Sequence, residues 1–101
     1  MKSSAYRISA DAIRDLEEIW EYTFHKWSLE QADRYYSLII DEIEFLSTHF
    51  FAGKSVGHIR EGYRCALVKS HLIFYRISDD QKIEIIRVLH QSMDIDDELI
   101  I

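Results

Sequence analysis

Tyr63–His90 reads YRCALVKSHLIFYRISDDQKIEIIRVLH, and the punctuation within it decides the fold. Three runs rich in β-branched and aromatic residues, Tyr63–Val68, His71–Ile77 and Lys82–His90, are separated by Lys69-Ser70 and by Ser78-Asp79-Asp80-Gln81. Links of two and four residues are too short for a crossover between parallel strands, so the spacing predicts an antiparallel meander.

Upstream the apolar period changes from two to between three and four. Ile13, Leu16, Trp20, Phe24 and Trp27 recur at helical steps among Asp15, Glu17, Glu18, Glu21 and Lys26, which predicts an amphipathic helix of about 16 residues. Ser9 stands at its N-cap position with Asp11 in the first turn, where the helix dipole favours an acid. Ser28-Leu29-Glu30-Gln31 has capping-box spacing, with Gln31 reaching back to Ser28. A second stripe follows at Ala32, Tyr35, Tyr36, Ile39, Ile43 and Leu46. The link between the two helices is one to three residues, which forces an antiparallel helical hairpin.

The chain has no proline, and its three glycines, Gly53, Gly57 and Gly62, all fall in an irregular segment, His49–Gly62. Tyr6-Arg7-Ile8 reads as a brief first strand, and Gln91–Ile101 as a short helix or an extended arm. One face of the sheet stays free and the hairpin has a stripe to bury. The expected fold is therefore α+β and two-layer, β-α-α-β-β-β, with the antiparallel helical hairpin packed on an antiparallel sheet. Residues 1–101 form a single domain, with Trp20 and Tyr36 helping to fill the core.

Composition narrows the function. At 101 residues there is room for one core, and 48% hydrophobic residues are enough to close it. No apolar run approaches the roughly 20 residues that cross a bilayer, so no membrane role is expected. The opening MKSSAYRISADAIRD has neither an apolar h-region nor a small-residue cleavage site, so no secretory signal is expected. Cys65 stands alone in an apolar run and reads as a small core thiol, consistent with a reducing compartment. With a formal charge of −6, the chain has no general attraction for nucleic acid, and direct nucleic-acid binding is not expected.

Catalytic and metal signatures are missing. No nucleophile–base–orienter pattern is visible, so no catalytic residue is assigned. His25, His49, His58, His71 and His90 are scattered, without ligand spacing, and no cofactor or metal site is expected. The acids Asp94, Asp96, Asp97 and Glu98 lack the glycine and the final glutamate of a calcium loop. What remains is a polar set on the strands: Arg64, His71, Tyr75, Arg76, Arg87 and His90. The three arginines, one per strand, either form a phosphate patch with a Tyr or His as acid or base, or pair with the eighteen acids. His71 and Tyr75 read as packing or hydrogen-bonding elements of the central strand.

The order strand, helical hairpin, glycine-containing loop and meander resembles the ParE/RelE superfamily of bacterial toxin–antitoxin toxins. Five strings resemble the ParE branch in particular: ADAIRDLEEIWEYT (Ala10–Thr23), WSLEQADRY (Trp27–Tyr35), REGYR (Arg60–Arg64), SHLIFYRI (Ser70–Ile77) and IIRVLHQSMD (Ile85–Asp94). Resemblance to ParE implies a cytoplasmic, non-enzymatic toxin that traps DNA gyrase on cleaved DNA. It also implies a cognate antitoxin whose C-terminal segment folds along the toxin, and assembly as a homodimer or toxin–antitoxin hetero-oligomer. Resemblance to RelE would imply a ribosome-dependent mRNA endoribonuclease, and an inactive homologue is the third reading. Docking on ribosomal RNA asks for clustered Lys and Arg, and a chain at −6 without a lysine cluster meets that demand poorly.

On that resemblance, Arg64, Arg76, Arg87, His90 and the tail from Gln91 are expected to face the target. Trp27, Tyr35, Phe50, Phe51 and Tyr63 exceed what a small core hides, and are expected to bind the antitoxin. Its helix would lie between hairpin and sheet, and an extended segment would add to a sheet edge.

Overall fold

The structure is a computed structural model and describes residues 6–99, except for the side chains of Asp96 and Asp97. The first five residues of the stretch read for a leader, and part of the acidic tail, lie outside the described residues. β1 (Tyr6–Ile8) leads into α1 (Ala10–Lys26) and α2 (Leu29–Thr48), then a short 3-10 turn at Phe50–Ala52. β2 (Lys54–Ser55), β3 (Arg64–Val68), β4 (His71–Ile77), β5 (Ile83–His90) and a short α3 (Ile95–Leu99) complete the chain.

Ser9 makes the first corner. Its backbone N–H donates to Ile85 O at 2.9 Å, its hydroxyl donates to Ile86 O at 2.8 Å, and its Oγ accepts from Ala12 N at 3.0 Å. One serine therefore ends β1, caps α1 and pins both to β5. Ser28 caps α2 in the same way, accepting from Gln31 N at 3.1 Å. The reciprocal half of the expected capping box does not form, because Arg34 draws Gln31 Oε1 toward itself at 3.3 Å.

The meander and the hairpin form as expected, and the sheet order is β1-β5-β4-β3-β2. β1, however, lies parallel to β5, with Tyr6 opposite Ile83 and Ile8 opposite Ile85. The sheet is thus mixed and not wholly antiparallel. The whole helical hairpin intervenes between β1 and the meander, so no tight turn dictates β1's direction. β2 is a further addition, pairing Lys54 with Cys65 and Ser55 with Arg64. Beyond Cys65, Leu67 of β3 is paired with Leu72 of β4 but has no strand on its other flank among the described residues. The β3–β4 turn is closed by Lys69 at φ 55°, and a bulge leaves Ile86 as an extra residue between the Phe74–Arg87 and Tyr75–Ile85 pairs.

The principal core lies between helices and sheet: Ala12, Leu16, Ile39, Ile43, Leu46, Ile73, Tyr75, Ile83, Ile85 and Val88. α2 buries the stripe its sequence announces, although Tyr36 is exposed. α1 is rotated from expectation: it buries Ala12, Asp15 and Leu16, while Ile13, Phe24 and Trp27 are exposed and Trp20 is half-buried. Small Ala12 and the bond-forming Asp15 let α1 come close to β5, which a row of large side chains would prevent. Trp20 instead stacks on Phe24 at 5.3 Å and donates Nε1–H to Asp33 at 3.0 Å.

The outer face is not free. Val56, Phe74, Leu89 and Leu99 are buried there, with Ile59, Tyr63, Cys65, Leu72 and Ile95 around them. Cys65 sits in this cluster, and burial pushes its thiol pKa up, as expected of a packing residue.

Tyr75, fully buried, holds the segment after α2. Its hydroxyl donates to Phe50 O at 2.6 Å and accepts from Gly53 N at 3.0 Å. A Cβ on Gly53 would collide with the Tyr75 hydroxyl and stand 2.8 Å from Cys65 O, so only glycine fits. Gly53→Ala should destabilise the protein by about 1–3 kcal/mol through overpacking. Gly57→Ala, whose Cβ would meet nothing nearer than Ser55 Oγ at 3.5 Å, should stay within about 0.5 kcal/mol of the parent. Urea unfolding of the two variants checks the contrast.

Candidate functional site

The two-residue link at Trp27-Ser28 brings the end of α1 and the start of α2 over the sheet end where the β3–β4 turn and the last residue of β5 meet. A cleft of about 400 Å³ opens there, lined by Tyr22, Thr23, Lys26, Trp27, Gln31, Tyr35, Ser70, His71 and His90. A smaller one of about 280 Å³ adjoins it and shares Tyr22, His71 and His90. Its other walls are Asp15, Glu18 and Ile19 of α1 with Val88, Leu89 and Met93.

The floor is a polar network. Tyr35 Oη lies 2.6 Å from His71 Nδ1, 3.2 Å from Val68 O and 3.4 Å from Ser70 N. A hydroxyl has one proton, and all three partners are satisfied when it donates to Val68 O and accepts from Ser70 N–H and His71 Nδ1–H. That tautomer leaves His71 Nε2 as an acceptor. His90 is the reverse: Ser92 N–H donates to its Nδ1 at 3.1 Å, so neutral His90 has its proton on Nε2. The two rings meet edge to face at 5.2 Å. Burial and then the His90 charge push the His71 pKa down, with Asp15 opposing; burial pushes that of Tyr35 up.

Beneath the smaller cleft Asp15, itself buried, takes three hydrogen bonds. Arg87 donates from Nε at 2.8 Å and from Nη2 at 3.0 Å, and Val88 N–H donates at 3.0 Å. Arg87 also approaches Glu98 of α3 at 3.4 Å. The strand edge that β1 leaves uncovered is thereby closed by a carboxylate.

The predicted target-facing residues do not converge. Arg64 donates to Gly53 O at 2.5 Å and Phe51 O at 3.3 Å and lies over the Phe50 and Phe51 rings at 5.7 and 5.2 Å. Arg76 pairs with Glu84 at 2.9 Å. Arg64 shares its sheet face with Tyr75, its register partner, so Arg76, the next residue of β4, faces the other way. His90 stands opposite His71, five residues along β4 from Arg76, which is about 16 Å of strand. The arginines are thus engaged within the fold, two with acids and one with carbonyls, and no phosphate patch is assembled.

The five predicted antitoxin contacts also divide. Trp27 (67% exposed) and half-buried Tyr35 share the larger cleft. Phe50 packs edge-on against Tyr75, and Phe51 (79% exposed) projects beside Arg64. Tyr63 belongs to the outer-face cluster, with Arg60 over its ring. Sequence reasoning missed Tyr22, Lys26 and His71 as cleft residues. Glu18, Tyr22 and Lys26 are spaced i, i+4, i+8, a row that marks one helix face.

No helix among the described residues is long and apolar enough to cross a membrane. Nor do the described residues include a group of three or more His, Cys, Asp or Glu able to hold a metal ion. A family model described as "ParE toxin of type II toxin-antitoxin system, parDE" matches residues 6–95. The chain belongs to the ParE toxin family. Toxin ParE1 of Mycobacterium tuberculosis (strain CDC 1551 / Oshkosh) is 38% identical over 97 residues, covering 96% of this chain and 99% of that toxin. Toxin ParE1 of Caulobacter vibrioides is 42% identical over 88 residues, 87% of this chain and 90% of its own length. A solved chain titled "Chromosomal ParDE TA system from P. aeruginosa" shares the fold at TM-score 0.73 and 19% identity, covering 84% of this chain and 92% of that one. The fold is thus one found in a solved ParDE structure, and the clefts described above lie between the helical layer and the sheet.

Asp15→Ala should cost about 2–4 kcal/mol, because Val88 N–H and most of the Arg87 charge lose their partner. Adding Arg87→Met should recover part of that loss, as read from urea midpoints. The depressed His71 pKa predicts a pH effect on stability. The unfolded chain takes up this proton at about pH 6.5, before the native state does, so stability present above 6.5 is lost as pH falls through the native value. His71→Gln should flatten that part of the urea-midpoint curve.

Proposed function

We propose that this chain is the toxin of a type II pair, acting in the cytoplasm on DNA gyrase and neutralised by a cognate antitoxin. It grips its target without breaking covalent bonds. Membership of the ParE family is the observation that supports this most directly. The engagement of Arg64, Arg76 and Arg87 inside the fold, on a chain at −6, supports a protein target over ribosomal RNA.

The antitoxin has two docking places in this reading. An amphipathic helix lies in the larger cleft against Trp27 and Tyr35, with Tyr22 beside them. An extended segment adds at the β3 edge near Leu67 and Phe51, where β2 stops short. Phe50 and Tyr63 support these surfaces from beneath. On the target side, Arg76 and His90 make contact with gyrase and Arg64 and Arg87 fix the surface around them. Toxin and antitoxin assemble as a hetero-oligomer.

Purified protein should block gyrase supercoiling and accumulate cleaved DNA, and equimolar antitoxin encoded beside it should restore activity. A parallel assay on translating ribosomes should show intact transcripts. Transcript cleavage with untouched gyrase would overturn the reading. Trp27→Ala should weaken antitoxin binding by about 1–4 kcal/mol while the urea midpoint stays near the parent value; unchanged affinity would remove the cleft as the docking place.

A further inference from the structure

The larger cleft differs electrostatically from the rest of the chain. Eighteen of 101 residues are Asp or Glu, yet none lines it, whereas Lys26, His71 and His90 all do. Its walls, Tyr22, Trp27 and Tyr35, are aromatic. We propose that the larger cleft reads a carboxylate: the antitoxin segment docked there inserts an apolar side chain flanked by an aspartate or glutamate, held by Lys26, His90 and His71. The proposal rests on the reading of this cleft as the antitoxin's docking place and specifies the chemistry of the occupant.

The donors are distinct. Lys26 Nζ is exposed and donates to the Tyr22 hydroxyl at 3.2 Å, a surface bond it exchanges for one to an incoming anion. Neutral His90 presents Nε2–H, since its Nδ1 already accepts from Ser92 N–H. His71 presents a bare Nε2 and acquires a donor there only on protonation, with Nδ1–H kept on Tyr35. An arriving carboxylate supplies a countercharge beside the His71 ring, so binding draws a proton onto His71 Nε2.

The groups facing His71 fix the direction of the effect. Tyr35 comes from α2, His90 from β5, and Tyr22, Lys26, Asp15 and Glu18 from α1. Asp15 is consumed by Arg87 and Val88 N–H. Glu18, in the adjoining cleft, makes the Met93 end negative and the Lys26 end the place for the anion. The occupant is therefore oriented as well as held, and its affinity rises as pH falls from 8 toward 6.

Three indole probes test this by following the His71 ring resonances of the full chain by NMR: the isosteric pair indole-3-propionate and indole-3-propionamide, and the shorter amine tryptamine. The acid should bind about fivefold more tightly than the amide, with the amine weakest, and should raise the midpoint of His71 by about half a pH unit. Lys26→Gln, at an exposed helix position, should erase the preference of acid over amide, and Glu18→Gln should strengthen it. Equal binding of acid and amide, preference for the amine, or an unmoved His71 midpoint would each overturn the proposal. None of those results touches the docking reading, which falls separately if the antitoxin ignores Trp27→Ala.

Discussion

The contact on which the rest depends is the carboxylate of Asp15. It sits where β1 has ended and β5 continues, so a backbone N–H that a neighbouring strand would have satisfied is satisfied by a helix instead. The same group neutralises Arg87, which in turn reaches Glu98 of α3. Three elements distant in sequence are thereby registered against one another by a single short side chain. The depth at which α1 rests on the sheet follows from it, and so does the width of the clefts between α1 and β5.

A second anchor works at the far side. The Tyr75 hydroxyl holds both ends of the turn after α2, at Phe50 O and Gly53 N–H, and Arg64 closes over the neighbouring carbonyls of Phe51 and Gly53. Arg64, which from sequence alone could join a phosphate patch, and Tyr75, read as a hydrogen-bonding element of the central strand, here serve together as joinery. The contrast with Tyr35 and His71 is instructive. Those two also bond to each other, yet they do so at the floor of an open cleft, where imidazole chemistry remains available to a visitor.

Much of the architecture was legible because short links leave few options. Two residues between helices, and two and five between strands, fix antiparallel neighbours whatever the side chains do. The stripe of α2 was legible because large aliphatic residues mark its buried face. α1 misleads for the opposite reason: its buried face is made by an alanine, an aspartate and a leucine, and its bulky residues look outward. No hydropathy pattern announces that an acid faces the sheet, since the bond that rewards it is with an edge N–H seventy-three residues away. The cleft was half legible. Trp27 and Tyr35 carry an aromatic signal, whereas Tyr22, Lys26 and His71 become neighbours only once the hairpin is laid on the meander.

The short β2 leaves the two margins of the sheet unlike each other. On the β5 side, the terminal strand β1 offers only three residues of edge, and beyond it Ser9, the bulge at Ile86 and Asp15 leave little ladder to extend. On the β3 side the backbone at Leu67 stands open. A sheet with one adhesive margin can join a single visiting strand, or a twin of itself across a twofold axis, and then it is saturated. Continuous stacking of copies needs two such margins, so this fold can recruit a partner through its backbone without the hazard of growing into fibres.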